Sequence, residues 1–462
     1  MKTTKRIQSF CIAAMTSLMS TAFAADISDV IVRQQWPWST DIKVEFKLTN
    51  VTGPVTVNVE AFDGDTPLET PNMGKAITGE LFGIAQGGVY SFMIDPKVAF
   101  GTERVAIPDL KIRLSLTDQP NAGEVLYKVY DIATGARTDI TRRELMNGRY
   151  GTVETDFSAI GDGFNTTLDD VLIWTGVTND IYKTTKIAFR KIPARGVTTT
   201  LGKTGNTDRQ APRQVSFTND YFIGVFEMTY AQVQALKAAR SSTPSGGTAF
   251  SSPTTRAKSN LSPDYIRNGS NSPKKTWPAD GHQVGEKYSV INEFRVLTGE
   301  SGFDLPTEAL WEYACRAGTT TDYNCGKNSS GNVEQAFLKS IARHKFSDME
   351  SNAYSPTAGT SATVEQGGPD IVGAHKPNAW GLYDMHGNLA EWCLDLFDWS
   401  LSGQTGDDPW GVTADKNGGT ARRVVRGGSY WSNPSEITSS AAADQAAGRN
   451  DCGFRLCLTI YE

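Results

Sequence analysis

Two carboxylates in one short stretch are the residues best placed to do chemistry in this chain of 462 residues. Asp384 and Glu391 stand in the run Gly381 to Trp392. Carboxylate and backbone carbonyl oxygens are the hard ligands that calcium prefers. Asp384 and Glu391 are therefore the candidate side-chain ligands of a structural calcium ion, and backbone carbonyls of the same run would complete the site. The alternative is that the two carboxylates only cap the loop and accept its hydrogen bonds.

Other catalytic patterns find little support, so no catalytic residue is assigned. The histidines His282, His344, His375 and His386 show no paired helical spacing, which favours solvated or loop positions over metal ligation. No Cys-x-x-Cys occurs. The run Gly427 to Ser429 does not have the Gly-x-Ser-x-Gly form of a nucleophile elbow. No glycine-rich phosphate-binding loop is present either.

The first residues have the pattern of a secretory signal peptide. Lys2, Lys5 and Arg6 precede an apolar stretch, and Ala22-Phe23-Ala24 (22–24) is typical of a cleavage site. We therefore expect residues 1–24 to be removed and the protein to be secreted or periplasmic. The alternative is an uncleaved anchor, but the apolar stretch is short for a bilayer. No later segment predicts a membrane span.

The charge of the chain excludes some classes of partner. The formal net charge is −6, and loss of the basic leader makes the remainder more acidic. Binding to nucleic acid or to anionic lipid requires a basic face, so neither is expected. Five cysteines remain after residue 24, and an odd number leaves at least one thiol free or paired between chains. Cysteine pairing is otherwise open.

Alternating polar and apolar residues dominate the chain up to about Thr117. The clearest runs are 43–48, 55–60 and 111–116, with Gly, Pro and Asp clusters between them. A period of two is typical of strands with one buried face. We therefore predict an antiparallel β-sandwich over residues 25–118. Residues 119–181 are interpreted as a connecting region that contains one strand at about 126–132.

Residues 182–462 predict a second domain, of mixed character. Three helix starts have clear N-cap residues, namely Thr229, Ser289 and Thr307. Gly299 and Gly318 stand where the second and third of these helices should end. A fragment that begins near Tyr182 is expected to fold alone, since the preceding stretch offers few apolar anchors.

Six blocks of this second domain, in order from about Ile187 to Leu458, resemble the formylglycine-generating enzyme family, also called the sulfatase-modifying factor family. The most specific are the run Gly381 to Trp392, the run Arg423 to Trp431, and Gly453-Phe454-Arg455-Leu456 (453–456). The resemblance implies an α+β, C-type-lectin-like fold. It also implies that calcium is bound by the side chains at 384 and 391 and by the backbone carbonyls at 387 and 389.

The chain departs from the family at the positions that carry its redox chemistry. Members that oxidise a sulfatase cysteine bind copper with two cysteines, where this chain has Ser432 and Ile437. Soft thiolates select Cu(I), so copper is not expected. A second branch uses iron held by three histidines on an added helical bundle, which has no counterpart here. The resemblance further implies a disulfide between Cys315 and Cys457, one residue out of register.

The sequence thus predicts an exported member of the family that is non-catalytic or divergent. It would bind a protein or peptide ligand through the surface of residues 431–450, with Trp431, Ser432 and Asn433 as contacts. The alternative is a divergent metal-dependent oxidoreductase, acting on protein cysteines or through non-haem iron. A third reading is a cell-surface structural or adhesion module. The identity of the ligand and the oligomeric state stay open.

Overall fold

The structure is a computed structural model of the chain. It describes residues 25–35, 39–70, 72–101, 107–155, 172–207, 210–240, 255–257, 266, 289–329, 335–347, 368–398, 404–410, 422–445 and 449–459. The predicted signal peptide, residues 1–24, lies outside these residues, and so does His282. The chain divides into two compact units, Met1–Glu124 with Thr141–Tyr150, and Val125–Ile140 with Gly151–Glu462.

The first unit consists mostly of strands that pair with antiparallel neighbours. Its strands are β1 (Asp26–Gln34), β2 (Ile42–Thr49), β3 (Val55–Asp63), β4 (Thr66–Pro67), β5 (Ile77–Thr78), β6 (Gly88–Ile94) and β7 (Leu110–Asp118). They form one sheet in the order β1-β2-β6-β5 and another in the order β4-β3-β7. Its helices are short: α1 (Met73–Ala76), α2 (Pro96–Phe100) and α3 (Arg142–Met146).

Period-two patterning explains how these strands are buried. Along β2 the side chains of Val44, Phe46 and Leu48 are buried while their neighbours are more exposed. Val55 and Val57 on β3 belong to the same hydrophobic core. Both sheets thus contribute one face to a shared core, as expected for half-exposed strands. The predicted strand runs 43–48, 55–60 and 111–116 are confirmed by β2, β3 and β7.

The second unit contains more sheets and all the longer helices of the described chain. Its strands are β8 (Val125–Asp131), β9 (Arg137–Thr141), β10 (Val153–Glu154), β11 (Ile173–Trp174), β12 (Lys186–Ile192), β13 (Thr198–Leu201), β14 (Arg213–Ser216), β15 (Tyr221–Gly224), β16 (Phe303–Asp304), β17 (Ala390–Leu396), β18 (Gly406–Asp407), β19 (Arg423–Arg426), β20 (Ala442–Gln445), β21 (Cys452–Gly453) and β22 (Cys457–Thr459). Its helices are α4 (Ile181–Thr184), α5 (Tyr230–Arg240), α6 (Val290–Thr298), α7 (Glu308–Arg316) and α8 (Gln335–Ile341).

Two sheets of this unit position the residues of interest. The larger has the order β16-β22-β15-β12-β8-β9, and the smaller has the order β20-β19-β17-β21. In the smaller sheet Glu391 on β17 pairs with Arg426 on β19. The segment expected to connect two domains contributes β8, which pairs with β12 from Lys186↔Asp131 to Arg190↔Tyr127. The predicted strand at 126–132 is therefore part of the second unit's main sheet.

The predicted helix starts of the second unit are confirmed by their capping contacts. Thr229 Oγ1 accepts a hydrogen bond from Gln232 N–H at 3.1 Å, and Ser289 Oγ accepts one from Asn292 N–H at 3.1 Å. Thr307 Oγ1 accepts one from Leu310 N–H at 3.2 Å. Each hydroxyl satisfies a donor that the first helical turn leaves unpaired.

The end of α7 differs by one residue from the expectation. Gly318 has a positive φ, of 88°, as expected, but the first left-handed residue after the helix is Ala317, at φ 43°. Its N–H donates to the carbonyl of Tyr313, which compensates for the unfavourable backbone conformation. The structure is thus a strand-rich fold of mixed α and β elements. No helix among its described residues is long and apolar enough to cross a membrane.

Candidate functional site

The run predicted to bind calcium forms a tightly curled loop, which we call the Asp384 loop and define as residues 381–391. Asp384, Gly387 and Asn388 all have positive φ angles, of 57°, 73° and 58°. A Cβ atom at Gly387 would lie 1.9 Å from the carbonyl oxygen of Arg343. Only glycine fits so close an approach of two backbones. The loop therefore depends on Gly387 for its shape.

The structure gives the two predicted carboxylate ligands different surroundings. Asp384 is 2% exposed, and its Oδ2 accepts a hydrogen bond from Gly373 N–H at 2.6 Å. Its Oδ1 is buried and has no hydrogen-bond partner in the described part of the chain. A buried carboxylate oxygen without a partner is costly unless a proton or a cation satisfies it.

Glu391, by contrast, has both carboxylate oxygens engaged. Its Oε1 and Oε2 accept hydrogen bonds from the guanidinium of Arg455, each at 2.6 Å. Oε2 also accepts one from the indole N–H of Trp311 at 2.8 Å. The bidentate geometry is typical of strong Arg–carboxylate pairs. A cation at this loop would therefore share Glu391 with Arg455.

A third buried carboxylate, Glu227, faces the loop and was missed by the sequence analysis. It is 1% exposed, and its Oε1 accepts a hydrogen bond from Leu389 N–H at 2.9 Å. Its Oε2 accepts one from the side-chain amide of Asn388. The signal that could have found Glu227 is its place in the apolar run from Tyr221 to Met228, where an acid needs a specific partner.

Burial dominates the electrostatics of this cluster. Burial raises the pKa of Glu227, and the neighbouring Asp384 and Glu391 raise it further, while Arg455 opposes the shift. Burial also raises the pKa of Asp384, against the opposing effects of His375, the Gly373 N–H and Arg455. The cluster therefore favours either protonated carboxyls or a bound cation.

The oxygen donors of the loop suit a hard cation. Asp384 Oδ1 has no other partner in the described part of the chain, whereas the carboxylate of Glu391 would be shared between the cation and Arg455. No group of three or more His, Cys, Asp or Glu side chains could hold a metal ion within the residues described. A site at this loop would therefore need the backbone carbonyls of Gly387 and Leu389.

The positions expected for the copper-binding cysteines hold residues with other tasks. Ser432 Oγ accepts a hydrogen bond from Ser429 N–H at 3.0 Å, which closes a tight turn. Ile437 is fully buried and packs in a core that includes Tyr323 and Leu338. A Cβ atom at Gly428 would lie 2.7 Å from Cγ2 of Ile437. Position 437 therefore serves hydrophobic packing.

His386, on the Asp384 loop, is buried beside this position. Its Nδ1 lies 2.6 Å from the carbonyl oxygen of Ile437, and its Nε2 lies 3.1 Å from Asn324 N–H. These partners assign a neutral ring with the proton on Nδ1. Burial lowers the pKa of His386 to about 4, although the Ile437 carbonyl opposes that shift. The ring thus links the backbone of Ile437 to that of Asn324 through hydrogen bonds.

The predicted ligand contacts lie on the turn that follows β19. Trp431 is 53% exposed, and its N–H donates to Ser429 Oγ at 3.2 Å. Asn433 is only partly buried, and its side chain pairs with Glu436 to cap a short 3-10 helix, Pro434–Glu436. Trp431 is thus the most accessible of the three contacts, while Ser432 and Asn433 hold the turn in shape.

This turn is joined to the Asp384 loop by backbone hydrogen bonds. Tyr430 N–H donates to the carbonyl of Asn388 at 2.9 Å, and Gly387 N–H donates to the carbonyl of Gly427 at 2.8 Å. The Asp384 loop and the turn that carries the exposed Trp431 therefore form one hydrogen-bonded substructure.

A buried network of ion pairs anchors the segment that contains this turn to α7. Glu312 on α7 accepts hydrogen bonds from Arg426 at 2.5 Å, from Arg213 at 3.0 Å and from Arg316 at 2.7 Å and 2.9 Å. Arg426 also donates to the carbonyls of Ser439 and Ser440, at 3.0 Å and 2.9 Å. The guanidinium of Arg426 thus ties the start and the end of the segment 427–440 to α7.

Comparison with known proteins decides the family. A profile described as the sulfatase-modifying factor enzyme 1-like domain matches residues 192–460. This chain belongs to that family.

Its relatives differ in what they are called. A chaperone protein, LppX, from Paenibacillus barcinonensis is 27% identical over 52% of this chain and 80% of its own length. A formylglycine-generating enzyme from Thermomonospora curvata is 37% identical, over 28% of this chain and 39% of the enzyme. PvdO from Pseudomonas aeruginosa, a solved structure, is 18% identical with a TM-score of 0.43, over 59% of this chain and 94% of that one. The chain thus spans less than half of the formylglycine-generating enzyme.

The cysteines of this member of the family depart from what the resemblance implied. Cys315 and Cys457 are both free and buried, so the implied disulfide is wrong for this structure. Cys457 lies on β22, opposite Ile223 and Asp304, whereas the Cys315 thiol contacts the carbonyl of Met385 and the hydroxyl of Ser439. The two thiols therefore have separate partners in the core.

The remaining thiols are also free and buried, at Cys325, Cys393 and Cys452. Burial raises the pKa of Cys325 to about 11 and that of Cys452 to about 12. Such thiols stay protonated near neutral pH, and the thiolate is the form that binds metals.

Proposed function

We propose that the protein is an exported member of the sulfatase-modifying factor family that binds a protein or peptide ligand and does not make formylglycine by the two-cysteine copper route. The observation that carries this proposal is the pair Ser432 and Ile437 at the positions of the family's copper-binding cysteines. A serine hydroxyl is a hard, un-ionised donor and isoleucine has none, whereas Cu(I) selects soft thiolates.

The proposed ligand surface centres on Trp431. Tryptophan is enriched among the residues that dominate binding energy, because its ring supplies a large contact area at low entropic cost. A half-exposed indole on a turn fixed by Ser429 and Tyr430 has the preorganisation that such a contact needs. Ser432 and Asn433 would supply polar contacts at the edge of this surface.

We also propose a fold for each unit and a location for the protein, both as expected from the sequence. The second unit would have the family's C-type-lectin-like fold, which presents variable loops on a fixed core. The first unit would be an antiparallel β-sandwich, which is supported by the core its two sheets share. Residues 1–24 would direct the protein to the periplasm or outside the cell.

We also propose a structural calcium ion at the Asp384 loop. Asp384 Oδ1, the carbonyls of Gly387 and Leu389, and Glu391 would bind it, and its charge would offset that of the buried carboxylates. The ion would hold together a loop that has little regular secondary structure of its own.

Metal analysis of the purified full-length protein tests the choice between binder and oxidase. We expect calcium near one equivalent after dialysis against calcium, and copper and iron well below stoichiometry after exposure to Cu(I) or Fe(II). A member of the family that carries both copper-binding cysteines, treated in the same way, is the positive control for copper. Stoichiometric copper or iron in this protein would favour a divergent oxidoreductase and contradict the proposal.

A displayed random-peptide library tests the binding surface. We expect peptides enriched on the wild-type protein to lose binding at least tenfold to Trp431→Ala. Val89→Ala, at an exposed apolar side chain of the first unit, is the matched control and should keep the binding. Enriched peptides that bind all three proteins equally would place the ligand surface elsewhere.

A further inference from the structure

Glu227 is the buried group that the proposed calcium site leaves unexplained. It lies just after β15 in an apolar run, and it reaches across to the backbone N–H of Leu389 and the side chain of Asn388. Both residues belong to the Asp384 loop. An acid buried to this degree needs a specific reason, since burial of a charge is unfavourable unless partners compensate it.

We propose that Glu227 is the positioning residue of the cation site, setting both the orientation of its carbonyl ligands and its affinity for a divalent cation. This inference rests on the proposed calcium ion at the Asp384 loop. Glu227 is not itself a ligand in this proposal; it acts through the peptide units between Gly387 and Ala390.

The backbone hydrogen bonds show how Glu227 could set the orientation. In a planar trans peptide unit the N–H and C=O groups point in opposite directions. The N–H groups of Asn388 and Ala390 donate to the carbonyls of Arg343 and Asp451. The carbonyls of Gly387 and Leu389, which share those two peptide units, must therefore point the other way.

The peptide unit between those two carbonyls is the one that Glu227 holds. Its N–H, from Leu389, donates to Glu227, while its carbonyl, from Asn388, accepts from Tyr430 N–H. The Asn388 side chain adds a second restraint, because its Oδ1 accepts from Asp370 N–H while its amide donates to Glu227. Rotation of this central unit would turn both ligand carbonyls.

The charges around the loop also support a role for Glu227 in the affinity for a cation. Three carboxylates are buried here, those of Glu227, Asp384 and Glu391, and Arg455 is hydrogen-bonded only to the last of them. Lys183 Nζ lies over the ring of Phe226 at 5.5 Å, and its charge acts on Asp384 without a contact short enough for an ion pair among the described residues. The negative charge of Glu227 would thus attract a cation at low dielectric without contacting it.

Calcium affinity of the full-length Glu227→Gln protein tests the inference. Calorimetric titration with CaCl₂ should give a dissociation constant at least tenfold weaker than that of the wild type. The melting temperature should be measured in CaCl₂ and in EGTA. A residue with a purely structural role would lower both melting temperatures equally, whereas we expect the calcium-induced increase itself to shrink.

Asp220→Asn is the matched control. Asp220 is likewise a carboxylate that accepts two hydrogen bonds from N–H groups, here the backbone N–H groups of Ala194 and Arg195, both at 2.9 Å, but it lies outside the loop. This variant should bind calcium like the wild type. If Glu227→Gln does not fold, Glu227→Asp keeps the charge with shorter reach, and we expect it to bind calcium at least threefold more weakly.

The outcomes separate the two proposals. A wild-type dissociation constant in the Glu227 variant overturns the role of Glu227 and leaves the calcium site standing. A wild-type protein that binds no calcium overturns both.

Discussion

Replacement of Glu312 by glutamine should destabilise the second unit more than any other single charge change at the site. Glu312 is fully buried, and its carboxylate accepts hydrogen bonds from Arg213, Arg316 and Arg426 and from the N–H of Gly202, the last at 2.7 Å. Glu312→Gln keeps the shape but removes a charge that all three guanidiniums contact, while Glu308 lies near two of them, Arg213 and Arg426. Breaking a buried ion pair by removing one partner costs about 3–5 kcal/mol.

This loss should appear in urea unfolding and in thermal melts. At about 2 °C per kcal/mol for a domain of this size, the melting temperature should fall by about 6–10 °C. Glu436→Gln is the control, since Glu436 is an exposed carboxylate that also accepts a backbone hydrogen bond, from Asn433 N–H. Loss of such a cap costs about 1 kcal/mol.

The pH dependence provides a second readout of the same variant. Burial alone would raise the pKa of Glu312, but the charges of Arg426, Arg213 and Arg316 outweigh burial and lower it well below the ordinary value of 4.5. A carboxyl whose folded pKa is lowered stabilises the fold above its unfolded pKa, and this stability is lost as pH falls below about 4.5. The wild type should therefore lose more stability than Glu312→Gln between pH 5 and pH 3. A destabilisation no larger than that of Glu436→Gln, with an unchanged pH dependence, would refute the reasoning.

Three further predictions concern the cation loop, the buried histidine and the boundary of the second unit. Calcium at a hundredfold excess over Kd should raise the free energy of unfolding by about 2.7 kcal/mol. Thermal melts of an Asp384→Ala/Glu391→Ala variant should show no such increase, and an equal increase in the variant would count against the calcium site. Burial lowers the pKa of His386 to about 4, so the stability that the neutral ring contributes is complete above pH 6.5 and is lost as pH falls towards 4, by roughly 3 kcal/mol at most. Urea unfolding of His386→Gln should therefore depend less on pH over this range than that of the wild type. An unchanged pH dependence would contradict the assignment of a neutral, buried ring. Fragment 125–462 should melt cooperatively, whereas fragment 182–462 lacks β8, one of the two strands that pair with β12, and should aggregate. Light scattering distinguishes the two outcomes, and a soluble, cooperatively melting shorter fragment would favour the boundary expected from the sequence.

Local patterns account for what the sequence predicted of the fold. The alternation in 43–48 and 55–60 reports burial on one face of a strand, and β2 and β3 follow it. Thr229 and Ser289 cap their helices because a hydroxyl next to the first turn satisfies its free N–H groups wherever the helix later packs. Such signals depend on neighbours within a few residues, so the sequence carries them directly.

The parts that could not be predicted depend on contacts between distant residues. Glu312 meets Arg213 and Arg426, which lie about a hundred positions away on either side, at 3.0 Å and 2.5 Å. Glu227 meets Leu389 in the same way. A single sequence holds no signal for such pairs beyond the presence of a charge in an apolar run. The disulfide between Cys315 and Cys457 was wrong because it depended on the register of a relative.

The central claim is that the chain keeps the scaffold of its family without the copper chemistry. The most direct test is mass spectrometry of a peptide with the sulfatase cysteine motif, incubated with the full-length protein, Cu(I), oxygen and a thiol reductant. With Ser432 and Ile437 in place of two thiolates, we expect the cysteine to stay unmodified while the Thermomonospora curvata enzyme converts it under the same conditions. Copper-dependent formation of formylglycine by this protein, at a rate comparable with that enzyme, would contradict the claim.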